Sequence, residues 1–310
     1  MQIATTTSLR RGFSLIELLV VIAIISVIAT IATGVLFRVR AGAEIQATET
    51  TMRKFDSLLQ QQVKAVVDTA RDDTVPPIVI DQLARGNKNR GRVIWTKMKL
   101  RQEFPQNFGE ALNGINIPFP STLILRRKEN YARKLGPVTV AGGFNALEAA
   151  VMLTESLAES RRGITITDGD TRGSAGTAKI TVGGREFMVA QDNWGQPLVL
   201  IRWPWPTSTP AQVAFSSALA SELNAPPYVS PEQAISGKID PVDPENWLGQ
   251  GWNGGNPAGN ELANLTAAIG HPLPAQNYAP FILSAGPDKV LFTGDDICSF
   301  RLRELGKRGN

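Results

Sequence analysis

The chain of 310 residues has one histidine, His271, and one cysteine, Cys298. A lone cysteine excludes an intrachain disulfide, and the pair cannot build a Cys/His zinc site. A Ser-His-Asp triad would have to use His271, and no G-x-S-x-G elbow accompanies it. Most familiar hydrolase and metalloenzyme readings therefore lose ground. Charge is also sparse, with 19% of residues charged and a formal net charge of +4. That balance is too weak and diffuse to call for nucleic acid, and no such partner is expected. What is plentiful is apolar: 43% hydrophobic residues support a sizeable core and argue against a mainly disordered chain. The 28 glycines and 20 prolines suggest many turns.

The apolar residues are unevenly spread. Residues 1–12 form a mostly polar leader ending in Leu9-Arg10-Arg11-Gly12. From Phe13 to Phe37 the chain runs 25 residues with no Lys, Arg, Asp, Pro or His and a single charge, Glu17. As a helix this run is roughly 37 Å long, enough for a hydrocarbon core of about 30 Å. Arg10 and Arg11 before it keep the N-terminus cytoplasmic and send the remainder across the membrane. The run is longer than a secretory signal's apolar region of about 7 to 15 residues. Ala32-Thr33-Gly34 nevertheless offers a small-x-small cleavage site, so a signal peptide stays open, as does a plain anchor.

Glu17 is harder to explain as part of an anchor. A carboxylate in the membrane costs several kcal/mol unless it is near an interface, protonated or paired. One reading is a capping box, Ser14-x-x-Glu17, at a helix start. The other is that Glu17 pairs with a positive group in an assembly, such as a free amine on Phe13 after a cut behind Gly12.

The stretch Arg11-Gly12-Phe13-Ser14-Leu15-Ile16-Glu17-Leu18-Leu19-Val20-Val21-Ile22 resembles the class III leader of type IV pilins and pseudopilins. The resemblance implies that a prepilin peptidase cuts after Gly12 and methylates Phe13. It implies that Glu17, fifth in the mature chain, supports subunit assembly. It also implies that the apolar run is retained, first as an anchor and then as packed filament core. There Ala23, Ala29, Ala32 and Gly34 permit close helix approach.

Beyond Phe37 the apolar stripe thins. Ile45, Met52, Phe55, Leu59, Val63 and Val66 recur at steps of 7, 3, 4, 4 and 3, an amphipathic helix period. Pro76-Pro77 should end this helix, so one continuous helix is expected from about Phe13 to Arg71. Residues 81–134 hold 12 Lys/Arg against 4 Asp/Glu. A solvated face is the expectation there; anionic lipid, nucleic acid or an acidic partner is the alternative. Residues 146–162 read as a second helix. Residues 164–166, 179–182, 187–190 and 197–201 read as short strands, with Gly183-Gly184 as a hairpin turn. Residues 204–280 read as a long decorated loop region with a short helix near Glu261–Ile269. Gly249-x-Gly251-x-x-Gly254 lacks the strand and helix of a dinucleotide fingerprint and reads as a turn-rich loop. His271 reads as a loop residue and Cys298 as a small core or interface residue.

Near the C-terminus, Leu283 to Ile297 place Asp288, Asp295 and Asp296 within nine residues. Calcium takes six to eight oxygens, and crowded carboxylates repel without a cation. An Asp-rich turn between strands is the plainer reading. The segment resembles the calcium loop of the major pseudopilin of type II secretion systems. That resemblance implies side-chain oxygens from Asp288, Asp295 and Asp296 and backbone carbonyls from Ala285 and Thr293. Asp192-Asn193-Trp194-Gly195-Gln196-Pro197 is similar to the same family's Asp-x-Trp-Gly-x-Pro turn. Residues 72–190 and 204–280 do not match a compact major pseudopilin.

The expectation is an α+β, pilin-like fold: a long N-terminal helix packed on a small antiparallel sheet, with an extra helix and long loops. Its parts are leader 1–12, membrane or filament-core helix 13–37, amphipathic stem 38–71 and a periplasmic head 72–310 with a calcium-type loop at 284–297. The chain is expected to be a non-enzymatic subunit, anchored once in the inner membrane, of a pseudopilus for export across the outer membrane. Its partners would be its own copies, other pseudopilins, the prepilin peptidase and an inner-membrane assembly platform. A type IV pilus subunit for adhesion, motility or DNA uptake is the alternative within this class. A membrane-anchored periplasmic enzyme or binding protein is the alternative outside it.

Overall fold

The computed structural model describes residues 15–141, 143–158, 176–203, 209–223, 240, 242–249, 252, 254–270 and 279–305. The leader with Gly12, Phe13 and Ser14, the expected strand at 164–166, Gly251 and His271 lie outside them. The chain divides into two compact units, residues 1–46 and 47–310.

Helix α1 (Leu15–Asp72) is continuous and ends within a residue of the expected boundary. In the first unit its Leu, Ile and Val side chains from Leu15 to Val39 are all exposed. The few hydroxyls there are satisfied inside the helix. Ser26 donates to the Ile22 carbonyl at 2.7 Å, Thr30 to Ser26 at 2.8 Å and Thr33 to Ala29 at 2.7 Å. No backbone or hydroxyl group needs an outside partner for those bonds, as hydrocarbon surroundings require.

In the second unit the same helix becomes one-sided. Met52, Phe55 and Leu59 are completely buried, in one core with Leu200 and Ile282. After α1 a π-helical turn (Val79–Leu83) leads to α2 (Lys88–Glu103) and α3 (Phe108–Leu112). Arg92 on α2 caps α1, donating to the Arg71 and Asp73 carbonyls, each at 2.6 Å. Strands β1 (Ile115–Pro118) and β2 (Ser121–Leu125) form an antiparallel hairpin. Helices α4 (Glu129–Leu135) and α5 (Ala146–Ala158) follow.

Strands β3 (Thr177–Val182) and β4 (Arg185–Ala190) pair antiparallel across the expected Gly183-Gly184 turn. Both glycines have positive φ, 57° and 81°, which a tight two-residue turn requires. β5 (Val199–Trp203) pairs instead with β6 (Ala279–Ser284), and β6 with the two-residue β7 (Ile297–Cys298). Helices α6 (Pro210–Leu223) and α7 (Gly259–Ile269) lie between β5 and β6, and α8 (Ser299–Leu305) follows β7.

The class is α+β, with a long N-terminal helix and small antiparallel sheets, consistent with a pilin-like fold. One sheet was expected, and three separate ones are found among the described residues. β4 does not continue beside β5 because the turn at Asp192 and Pro197 intervenes. Only a Gln191–Pro197 bridge joins the flanking chains, made by the Leu198 N–H to Ala190 and the Asp192 N–H to Gln196 at 2.9 and 2.8 Å.

The basic stretch is also not one solvated face. Arg90 is 3% exposed and Lys97 is 0% exposed. Lys97 forms a buried ion pair with Asp240. Arg90 lies 3.9 Å from the centre of the Trp252 ring and donates to the Trp247 carbonyl at 2.9 Å. Buried Arg202 grips Glu110 with both ends of its guanidinium, at 2.8 and 2.7 Å, and Arg101 adds a third bond at 3.1 Å. Burial pushes the Glu110 carboxyl up, but Arg202 and then Arg101 outweigh it and hold it at about 2.

Candidate functional site

Glu17 lies in the first turn of α1 and is exposed. An acid there complements the positive end of the helix dipole. The large apolar residues around it are open: Leu15 is 81% exposed and Ile16 69%. Among the described residues α1 is the one helix long and apolar enough to cross a membrane. Gly12, Phe13 and the capping-box partner Ser14 lie outside the described residues.

The second candidate is the loop after β6. It is built around two turns far apart in sequence. Asp192, 2% exposed, accepts from the Trp194 and Gln196 N–H groups at 3.0 and 2.8 Å through one oxygen. Its other oxygen accepts from the Ser284 hydroxyl at 2.7 Å. Ser284 in turn accepts from the Gly286 N–H at 3.3 Å. The Asn193 N–H reaches the Thr48 hydroxyl of α1 at 3.3 Å. The D-N-W-G turn therefore joins α1 to the root of the acidic loop.

Glycine is needed at Gly286. Its φ is +66°, and a Cβ there would come within 2.5 Å of the Asp295 carbonyl oxygen. That approach folds the two acidic ends of the loop together. The Thr293 hydroxyl lies 2.7 Å from Asp295 Oδ1 and 3.3 Å from Asp296 Oδ1. Asp296 is 5% exposed, while Asp295 and Asp288 are exposed. Burial, with the neighbouring Asp295 charge, pushes the Asp296 carboxyl up to about 7, although N–H groups such as that of Phe292 pull against it. The Asp295 carboxyl is held below its usual range chiefly by the Thr293 hydroxyl, with Asp288 adding to it.

Asp288 donates its N–H to Asp295 Oδ2 at 3.1 Å, but one of its own oxygens accepts from the Val290 N–H at 2.8 Å. Ala285 is buried at the root of the loop. The donors therefore fit a cation in part. Asp295 and Asp296 converge on Thr293, and Asp288 stands at the exposed rim. Among the described residues no three His, Cys, Asp or Glu side chains form a group that could hold a metal ion as they stand.

The sequence reading missed what fastens this end of the chain to α1. Asp56, buried on α1, accepts from Ser299 at 2.6 Å and from Arg303 at 2.5 and 2.6 Å. Arg53 donates to the Leu302 carbonyl at 3.1 Å. The one available signal was Asp56 interrupting a helix beside its apolar stripe; its partners lie more than 240 residues away. Cys298 is buried in the core with Phe281 and Phe300.

Residues 7–33 match the family model of the prokaryotic N-terminal methylation motif. The chain carries a prokaryotic N-terminal methylation motif. The match spans the expected cut at Gly12, Phe13, Glu17 and most of the exposed apolar run. It supports a type IV pilin-like subunit with a class III leader, processed by a prepilin peptidase and assembled into a pilin-type filament. With the apolar helix it fits a single-pass anchor in the inner membrane. The family of this motif is structural. Comparison with the curated proteins and with the solved structures gives no match.

Proposed function

We propose that this chain is a structural subunit of a type II secretion pseudopilus. A prepilin peptidase cuts after Gly12 and methylates Phe13. The chain waits in the inner membrane with residues 72–310 in the periplasm. It then polymerises with its own copies and other pseudopilins at an inner-membrane platform. The observation that carries this reading is the methylation motif running without a break into a helix whose apolar residues are exposed. Such a surface needs either lipid or neighbouring copies of the same helix. Glu17 gives the switch between them, because in a filament it neutralises the terminal amine of an adjacent Phe13.

The choice of secretion over a type IV pilus rests on the Asp192 turn and the acidic C-terminal loop, joined through Ser284. In the same reading a calcium ion takes Asp295, Asp296 and Asp288, with the Ala285 and Thr293 carbonyls. The raised Asp296 carboxyl is the motive: a buried acid beside a second carboxylate is relieved by a cation.

Glu17→Ala tests the assembly role. The variant should insert into the inner membrane at normal abundance and form no filaments; normal filaments would remove that role. Deleting the chain should stop release of secreted protein while leaving surface pili intact, and the reverse pattern would favour the pilus.

A further inference from the structure

The basic stretch of the head divides in the folded chain. Arg90 and Lys97 go to the interior, and four of the other cations lie on a cleft of about 300 Å³ between the end of α2, α3 and the β1–β2 hairpin. Arg101, Arg126, Arg127 and Lys128 line this cleft, and Glu110 is the only carboxylate among its described lining residues.

Glu110 has no capacity left for Arg126, Arg127 or Lys128. Arg202 holds both its oxygens, Arg101 shares one at 3.1 Å, and the Gln106 N–H donates to the other at 2.9 Å. Lys128 is paired with Glu103 at 2.5 Å. Arg127 has only a loose, exposed pair with Glu129 at 3.8 Å. Arg126 uses its carbonyl, which accepts from Gln102 at 2.6 Å; its guanidinium has no ionic or hydrogen-bond partner among the described residues. Arg126, Arg127 and Lys128, consecutive after β2, therefore line the cleft with Arg101, and Arg126 brings a charge with no carboxylate partner among the described residues. Low-dielectric walls strengthen that mutual repulsion and equally strengthen the attraction for an incoming anion.

We propose that this cleft binds a phosphate-type oxyanion. Arg126 and Arg127 supply planar forks that match two oxygens of one phosphate. Lys128 and Arg101 supply the surrounding field. The volume is at the small end for ligand sites and suits a single headgroup-sized anion, not a polymer. Free phosphate and the phosphodiester headgroup of a lipid share this chemistry.

The test uses the full chain in a non-ionic detergent, titrated calorimetrically with inorganic phosphate and, separately, with glycerophosphoglycerol. At least one probe should bind saturably and more weakly as salt rises. Arg126→Ala with Arg127→Ala should weaken binding tenfold or more, and Arg126→Gln alone should weaken it by less. Arg133→Ala, an exposed cation on α4, should change nothing. Tighter binding of inorganic phosphate assigns the site to the free anion, and tighter binding of the diester assigns it to a lipid headgroup. Failure of both probes to bind, or equal binding by the folded Arg126 variants, would overturn the proposal.

Discussion

The two halves of α1 use similar apolar residues in opposite surroundings. In the first half Ile24 and Ile25 are adjacent, point in different directions, and are 54% and 57% exposed. In the second half Met52, Phe55 and Leu59 share one stripe and are all 0% exposed. A helix that is apolar all round depends on something outside its own chain. A striped helix has its partner within the chain. The charges differ in the same sense. The run from Phe13 to Phe37 has only Glu17, whereas the second unit buries Lys97, Arg202 and Asp56 and gives each a partner. Burying an unpaired charge is prohibitive, so each of these side chains fixes a long-range contact.

This contrast can be broken first by matched truncations. Phe55→Ala should destabilise the head by about 3–5 kcal/mol, because a buried ring leaves a cavity. Ile24→Ala should leave the head's unfolding midpoint in detergent unchanged. Equal effects at the two positions would erase the distinction between the halves.

The next largest effect concerns the head's charges. Glu110 is held at about 2 against an ordinary 4.5, which corresponds to about 3 kcal/mol. Its folded-state value is depressed, so its stabilisation is present above about pH 4.5 and is lost as the pH falls towards 2. Glu110→Gln should therefore lower stability by about that amount at pH 7 and by little near pH 2, read by urea unfolding at both. A loss independent of pH would show that the pair acts by shape alone.

The smallest expected shift is the one proposed for calcium. At a hundredfold excess over its dissociation constant it should add about 2.7 kcal/mol, or several degrees in melting temperature. Asp295→Ala with Asp296→Ala should abolish the rise. An intact chain that ignores calcium would leave the loop as an Asp-rich turn.

What was legible in the sequence follows the same division. The apolar run can be read locally, since crossing hydrocarbon demands an unbroken stretch of suitable residues. The stem stripe and the Gly183-Gly184 hairpin are local patterns too. α2 was not legible, because its Lys and Arg residues suggest solvent until their partners are known. The partner of Lys97 is 143 residues away and that of Arg202 is 92 away. The acidic loop was legible as a cluster of carboxylates but not as an arrangement. Asp288 turns one oxygen to the Val290 N–H, and the Thr293 hydroxyl joins Asp295 to Asp296. The separation of the β3–β4 hairpin from the β5–β6–β7 sheet follows from the turn at residues 192–197, which a strand pattern does not weigh.

The mature N-terminus is the most direct measurement of all. Mass analysis of the chain from cells with the prepilin peptidase should find a methylated Phe13 as first residue, and cells without the enzyme should retain Met1–Gly12. A mature chain beginning near Val35, or an N-terminus indifferent to the peptidase, would contradict the account.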